Sequence, residues 1–168
     1  MLSKKIEAAL NEQINHEMVA FYNYLAMEAW FEDANLSGFA RWMRVQSAEE
    51  LEHMRRIFEY INDRGGKVQL EQVGKPTASF KTPREVFSRA AELEQANTKS
   101  IHRCYALAVE ERDYATQTAL QWFINEQVEE EKITKEITAL LERAGDEVGA
   151  LLILNRQFGD RAGEEAKS

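Results

Sequence analysis

The sequence predicts an all-α chain: four long helices in a bundle, a long connection between the second and third, and a short fifth helix near the C-terminus. Three observations lead there. Only two prolines and eight glycines interrupt 168 residues rich in Ala, Glu, Leu, Gln and Arg, a composition that favours long helices over sheet. A stretch of 17 residues, Gly66 to Thr82, holds no helical period between two segments that do. Finally, Glu17, Glu50 and His53 return, shifted by a constant 77 positions, as Glu94, Gln127 and Glu130. Each half reads as a lone Glu, 32 residues, then a Glu/Gln-x-x-His/Glu pair. A pseudo-symmetric four-helix metal site asks for such a pattern. At this length a single domain over 1–168 is expected.

The elements follow in order. The first helix is expected over about 3–33, with Ser3 as its N-cap, ending at Ala34-Asn35-Leu36-Ser37-Gly38. The second covers about 37–64 and stops at Gly65-Gly66. The 17-residue link can reach roughly 55 Å at about 3.3 Å per extended residue, more than the roughly 45 Å of a 30-residue helix. It is therefore expected to cross over along the whole bundle and make the second and third helices parallel. Thr82-Pro83-Arg84-Glu85 opens the third helix, about 83–112, with an N-cap, a proline at the first helical position and a capping-box Glu. Asp113 caps the fourth, about 114–144, which Gly145 ends. A fifth helix is expected over about 147–157, carrying Leu151-Leu152-Ile153-Leu154, an apolar run that needs a partner from this bundle or another subunit. The tail, 159–168, is expected to be polar and frayed.

Composition excludes several function classes. A net charge of −8 opposes a nucleic-acid surface, which needs clustered Lys and Arg, and favours small cations as partners. The chain has neither an apolar run near 18 residues nor a signal-peptide pattern, so no membrane is expected and a cytoplasmic location is. The single Cys104 is expected as a buried thiol.

Helical periodicity puts ionisable residues in the middle of the core-facing stripes. The first helix gives Leu10, Ile14, Glu17, Phe21, Tyr24, Glu28 and Phe31; the second gives Phe39, Met43, Gln46, Glu50, His53, Ile57 and Tyr60. The third gives Phe87, Ala90, Glu94, Asn97, Ile101 and Cys104; the fourth gives Leu120, Phe123, Gln127, Glu130, Thr134, Ile137 and Leu141. Unpaired buried carboxylates at one level destabilise a metal-free bundle, and a pair of divalent ions removes the objection. Carboxylates with a single imidazole suit iron or manganese rather than structural zinc. Any one of these glutamates is more simply a solvated surface residue; the shared offset separates the set from that reading.

Glu49, Glu126 and Glu129 form a second acidic layer, either a solvated face or an adjacent third metal site. Tyr24 either serves the site, by hydrogen-bonding a ligand or giving an electron, or only packs. Trp122 stands one turn before Glu126, near enough for redox chemistry yet equally a core aromatic. Glu28 lies off the repeat and is expected at the rim or partnered. His16 and His102 have no partner at ligand spacing.

With these residues the chain resembles the bacterial non-haem ferritins over nearly its full length, on Glu17, Glu49-Glu50-Leu51-Glu52-His53, Glu94, Glu126-Gln127-Val128-Glu129-Glu130, Tyr24 and the long crossover. The resemblance implies a ferritin-like four-helix bundle, a ferroxidase that oxidises Fe(II) with dioxygen or hydrogen peroxide, and ferric mineral stored in a homo-oligomeric shell of 24 subunits. It implies two irons per subunit: one on Glu17, Glu50 and His53, one on Glu50, Glu94 and Glu130, with Glu50 bridging and Gln127 in reach. A third iron would map to Glu49, Glu126, Glu129 and Glu130. Haem is not expected, because Leu51 stands where haem-binding relatives carry Met and Gln127-x-x-Glu130 replaces their second Glu-x-x-His. A di-iron oxidase, oxygenase or peroxidase without bulk mineral storage remains the alternative, as does a bundle that binds metal only structurally.

Overall fold

The computed structural model describes residues 2–165; the last three positions of the expected tail, 166–168, lie outside the described residues. Five helices follow one another: α1 Lys4–Asp33, α2 Ser37–Asp63, α3 Pro83–Glu110, α4 Tyr114–Ala144 and α5 Val148–Glu165. α1 packs on α2, α3 packs on α4, α1 and α3 join the two pairs, and α5 lies chiefly against α2. Among the described residues no helix is long and apolar enough to cross a membrane.

Side chains at the helix ends explain where each begins. Ser3 accepts from Ile6 N at 3.2 Å. Thr82 accepts from Glu85 N at 3.2 Å while Glu85 reaches back to Lys81 N at 2.8 Å, so donors that have no intrahelical partner are satisfied in both directions. Asp113 accepts from Thr116 N at 3.1 Å and grips Arg64 of the α2 C-terminus at 2.9 Å, which ties two helix ends together. Gly145 closes α4 at φ 55, a left-handed backbone that favours glycine.

The crossover is anchored along α1 in chain order. Lys67 N donates to Glu7, Gln69 N to Asn11, and Thr77 N to Asn23, and Trp30 Nε1 donates to the Phe80 carbonyl. The link thus travels the length of α1 and delivers α3 to the end where α2 starts, so α2 and α3 are parallel.

The fifth helix corrects the expected boundary. It does not stop near residue 157 but runs on to Glu165, because Leu154, Phe158 and Ala162, each four residues after the last, form a stripe buried in the bundle core. Gly159 permits this continuation: a Cβ there would sit 2.5 Å from Gly38 Cα, so the two helices meet glycine to glycine. α2 lacks a capping bond from its own Leu36, and Asn155 of α5 accepts from Phe39 N at 2.9 Å instead. Leu152 and Ile153 of the same helix remain exposed.

Two apolar clusters fill the bundle. One joins Phe31, Phe39, Trp42, Phe87 and Phe158 with aliphatic neighbours; Phe87 lies 5.2 Å from the Phe39 ring centroid and 5.3 Å from that of Trp42. The other is mainly aliphatic, built on Ile6, Leu10, Ile14, Ile57, Ile61, Ile101 and Leu120, with Phe123. Between them lies a belt of buried polar side chains.

Candidate metal centre

Each of the four bundle helices sends polar residues into the belt. Glu17, Glu50, His53, Glu94, Gln127 and Glu130 are all buried, because each continues an i, i+3 or i+4 apolar stripe whose other members pack into the two clusters. Of the four expected stripes, Phe21, Glu28 and Tyr60 are only half-buried, and Glu28 is partnered at the rim by Arg44 Nε at 2.7 Å.

Glu17, Glu50 and His53 each present a ligand atom within 4.8 Å of the others, the set among the described residues that can grip one cation. His53 Nδ1 is 3.8 Å from Glu50 Oε2, and both atoms are buried without a hydrogen-bond partner. The imidazole is walled by the rings of Trp122 at 5.3 Å and Phe123 at 6.0 Å. Trp122 thus belongs to the wall of the centre, and Arg56 lies 3.8 Å from its ring centroid. Burial pushes His53 below its ordinary range and holds the ring neutral, the form that binds metals.

Glu94 faces the same space from α3. Tyr24 Oη donates to Glu94 Oε1, so this tyrosine does more than pack. Gln127 Nε2 donates to Glu94 Oε2 at 3.2 Å and to Thr98 at 3.2 Å. Burial pushes the Glu94 carboxyl up to about 7, against the opposing pull of the Tyr24 and Gln127 bonds. Glu50 is raised well above its usual range, by burial first and then by the charges of Glu94 and Glu17. Tyr24 is also raised, by burial and by Glu94, and stays a phenol. Carboxyls crowded in a dry interior hold protons until a cation replaces them.

Sequence reasoning did not identify the partners of Glu17. Gln13 Nε2 donates to Glu17 Oε1 at 2.8 Å and Asn97 Nδ2 to Glu17 Oε2 at 2.8 Å, while Gln13 also donates to Asn97 Oδ1. Gln13 Oε1 is left buried without a partner, an arrangement that costs about 1–3 kcal/mol. A Gln one turn before a Glu on the same helix face was the available signal.

The second acidic layer is looser. Glu49 and Glu126 are half-buried and Glu129 is exposed, and these residues are not drawn into a group as close as Glu17, Glu50 and His53. Gln46 donates to Glu49. His16 and His102 lie outside the belt, His16 beside Glu12 at 3.8 Å. The Cys104 thiol, pushed up to about 12 by burial and facing the Ala9 carbonyl at 3.4 Å, is unreactive.

The same architecture occurs in known proteins. The ferritin-like domain family matches residues 7–144. A bacterial non-heme ferritin of Staphylococcus haemolyticus is 37% identical over 165 residues, 98% of this chain and 99% of its own length; that of Staphylococcus aureus (strain USA300) is also 37% identical over 98% of this chain and 99% of its own. Among solved structures, an open-pore ferritin from the archaeon Archaeoglobus fulgidus superposes with a TM-score of 0.93 at 40% identity, covering 95% of this chain and 98% of that one. With its four-helix belt of buried carboxylates and a match over most of its length, this chain belongs to the ferritin family.

Proposed function

We propose that the chain is an iron-storage ferritin whose belt is a ferroxidase centre with Fe(II) as its substrate. The observation that carries this is the buried Glu17, Glu50 and His53 group, with a carboxylate oxygen and an imidazole nitrogen left without protein partners, next to a proton-holding Glu94. One Fe(II) is held by Glu17, Glu50 and His53, a second by Glu50, Glu94 and Glu130 with Gln127 alongside, and Glu50 bridges them. Two Fe(II) ions each give one electron to dioxygen, which takes up two protons and leaves as hydrogen peroxide; peroxide supplied directly serves as the alternative oxidant. The residues hold the ions close with positions open to the oxidant, His53 stays neutral, and Glu50 and Glu94 release their protons as iron enters. Tyr24 orients Glu94. Glu49, Glu126 and Glu129, with Glu130, form a looser station for a third iron beside the centre.

Ferric product is stored as mineral inside a homo-oligomeric shell of 24 copies in the cytoplasm. The exposed apolar surface of Leu152 and Ile153 on α5 supports association, and the net charge of −8 favours entry of cations. The test adds Fe(II) in air to the metal-free protein and to Glu50→Ala, following ferric absorbance and particle size. A fast phase saturating near about two irons per chain, absent in Glu50→Ala, with iron co-eluting with a large particle, is expected. Fast oxidation followed by precipitation and a small particle would identify a di-iron oxidase instead, and no fast phase at all would remove the centre.

A further inference from the structure

We propose that Gln13 and Asn97 are positioning residues: together they clamp Glu17 and set the affinity of the half of the centre that Glu17 shares with His53. The inference rests on the metal reading above and extends it to two residues that do not touch the ion.

Glu17 offers two oxygens, and each is taken by a different amide from a different helix: Gln13 of α1 on Oε1 and Asn97 of α3 on Oε2, both at 2.8 Å. The third bond of the ring, from Gln13 to Asn97, fixes the sense of both amides. Turning either one over would set oxygen against oxygen, so neither amide can rotate freely. The carboxylate is therefore pinned across the α1–α3 seam before any ion arrives, in an interior where Gln13, Glu17 and Asn97 are all buried. The buried, unpartnered Gln13 Oε1 carries the same message. That amide forgoes an acceptor bond in order to keep its N–H groups on Glu17 and Asn97.

This clamp is confined to one half. Shifted by the repeat offset of 77, Gln13 falls on Ala90 and Asn97 corresponds to Ala20, neither of which has a side-chain donor. Glu94, the counterpart of Glu17, is held instead by the Tyr24 phenol and Gln127. Glu94 therefore keeps its own two donors when the Gln13 and Asn97 amides are removed, and loss of the amides is felt only on the Glu17 side. Hydrogen-bond partners of metal-ligating groups typically change affinity about 10–100-fold when removed.

The test uses Co(II), which does not react with dioxygen under these conditions and reports through its visible absorption. Metal-free full-length protein, Gln13→Met, Asn97→Leu and His53→Ala are titrated, the last identifying the bands of the Glu17 and His53 half. Gln13→Met and Asn97→Leu are each expected to weaken that half about tenfold or more and leave the remaining bands within about twofold. If either variant loses its helical circular dichroism, Gln13→Glu, which keeps the shape but exchanges a donor for an acceptor, takes its place. Isotherms superimposing on that of the unmodified protein would overturn the clamp, and a drop in thermal stability without a change in isotherm would reduce it to packing. An unmodified protein that takes up no Co(II) would overturn the metal reading and this inference with it.

Discussion

The aromatic end of the bundle and the polar belt at its middle are equally buried and built on opposite logic. Around Phe87 of α3, side chains from α1 and α2 meet ring to ring, with Phe31, Phe39 and Trp42 centroids 5.2–5.6 Å away, and each such contact adds about 0.5–1.5 kcal/mol to its area burial. Around Glu50, the same four-helix geometry encloses carboxyls that repel one another and an imidazole held neutral by burial. Stability and chemistry are thus assigned to different layers of one bundle: the ends hold the helices in place so that the middle can carry groups that would separate them.

Substitution at the two layers should therefore have opposite signs. Phe87→Ala opens a cavity among three aromatic neighbours and should lower the stability of the metal-free protein by about 3–5 kcal/mol. Glu50→Gln keeps the shape and removes the group that burial and its neighbours penalise, so stability at pH 7 should rise by about 1–3 kcal/mol. Denaturant unfolding at one fixed protein concentration, since assembly contributes to apparent stability, measures both. A loss of stability in Glu50→Gln as large as in Phe87→Ala would erase the distinction between the layers.

A pH series sharpens the same contrast with no substitution. The Glu50 and Glu94 carboxyls bind protons more tightly folded than unfolded. Their contribution is full below the ordinary carboxylate range near 4.5 and is lost as pH rises through the folded values, about 7 for Glu94. His53, depressed on folding, offsets part of this over the same range, and the metal-free protein should lose about 1.4 kcal/mol per pH unit for each net extra proton the folded state still holds between about pH 5 and 7. Divalent metal should reverse the trend, because it binds the deprotonated ligands. Thermal midpoints with and without Co(II) across that window check it; a metal-free midpoint that climbs toward pH 7 would contradict the assignment.

How much of this was legible beforehand depends on the kind of signal. Helix starts were readable because their signals are local: Ser3, Thr82 and Asp113 each cap the helix that follows. The positions of Glu17, Glu50, His53, Glu94, Gln127 and Glu130 in the interior were readable because a repeat offset of 77 leaves little freedom in which face they share. The extent of α5 was not, because Gly159 reads locally as a stop and only the approach of Gly38 from α2 makes glycine the required residue there. The Gln13 and Asn97 clamp was hidden for a related reason. It joins residues 84 positions apart and breaks the very repeat that revealed the rest.

That broken symmetry is where the smallest effect should appear. The counterpart of Tyr24 under the offset is Ile101, so the phenol donating to Glu94 exists in only one half. Tyr24→Phe keeps the ring packed against Trp42, at a centroid distance of 6.2 Å, and deletes a single hydrogen bond to a carboxylate that Gln127 still holds. With a net worth of about 0.5–1.5 kcal/mol for such a bond, the fast phase of Fe(II) oxidation should slow by about two- to tenfold while stability barely moves. Stopped-flow absorbance against the unmodified protein measures it. A loss as large as that of Glu50→Ala would mean that Tyr24 exchanges electrons or protons with the iron rather than orienting Glu94; no change would leave Gln127 sufficient to hold that carboxylate alone.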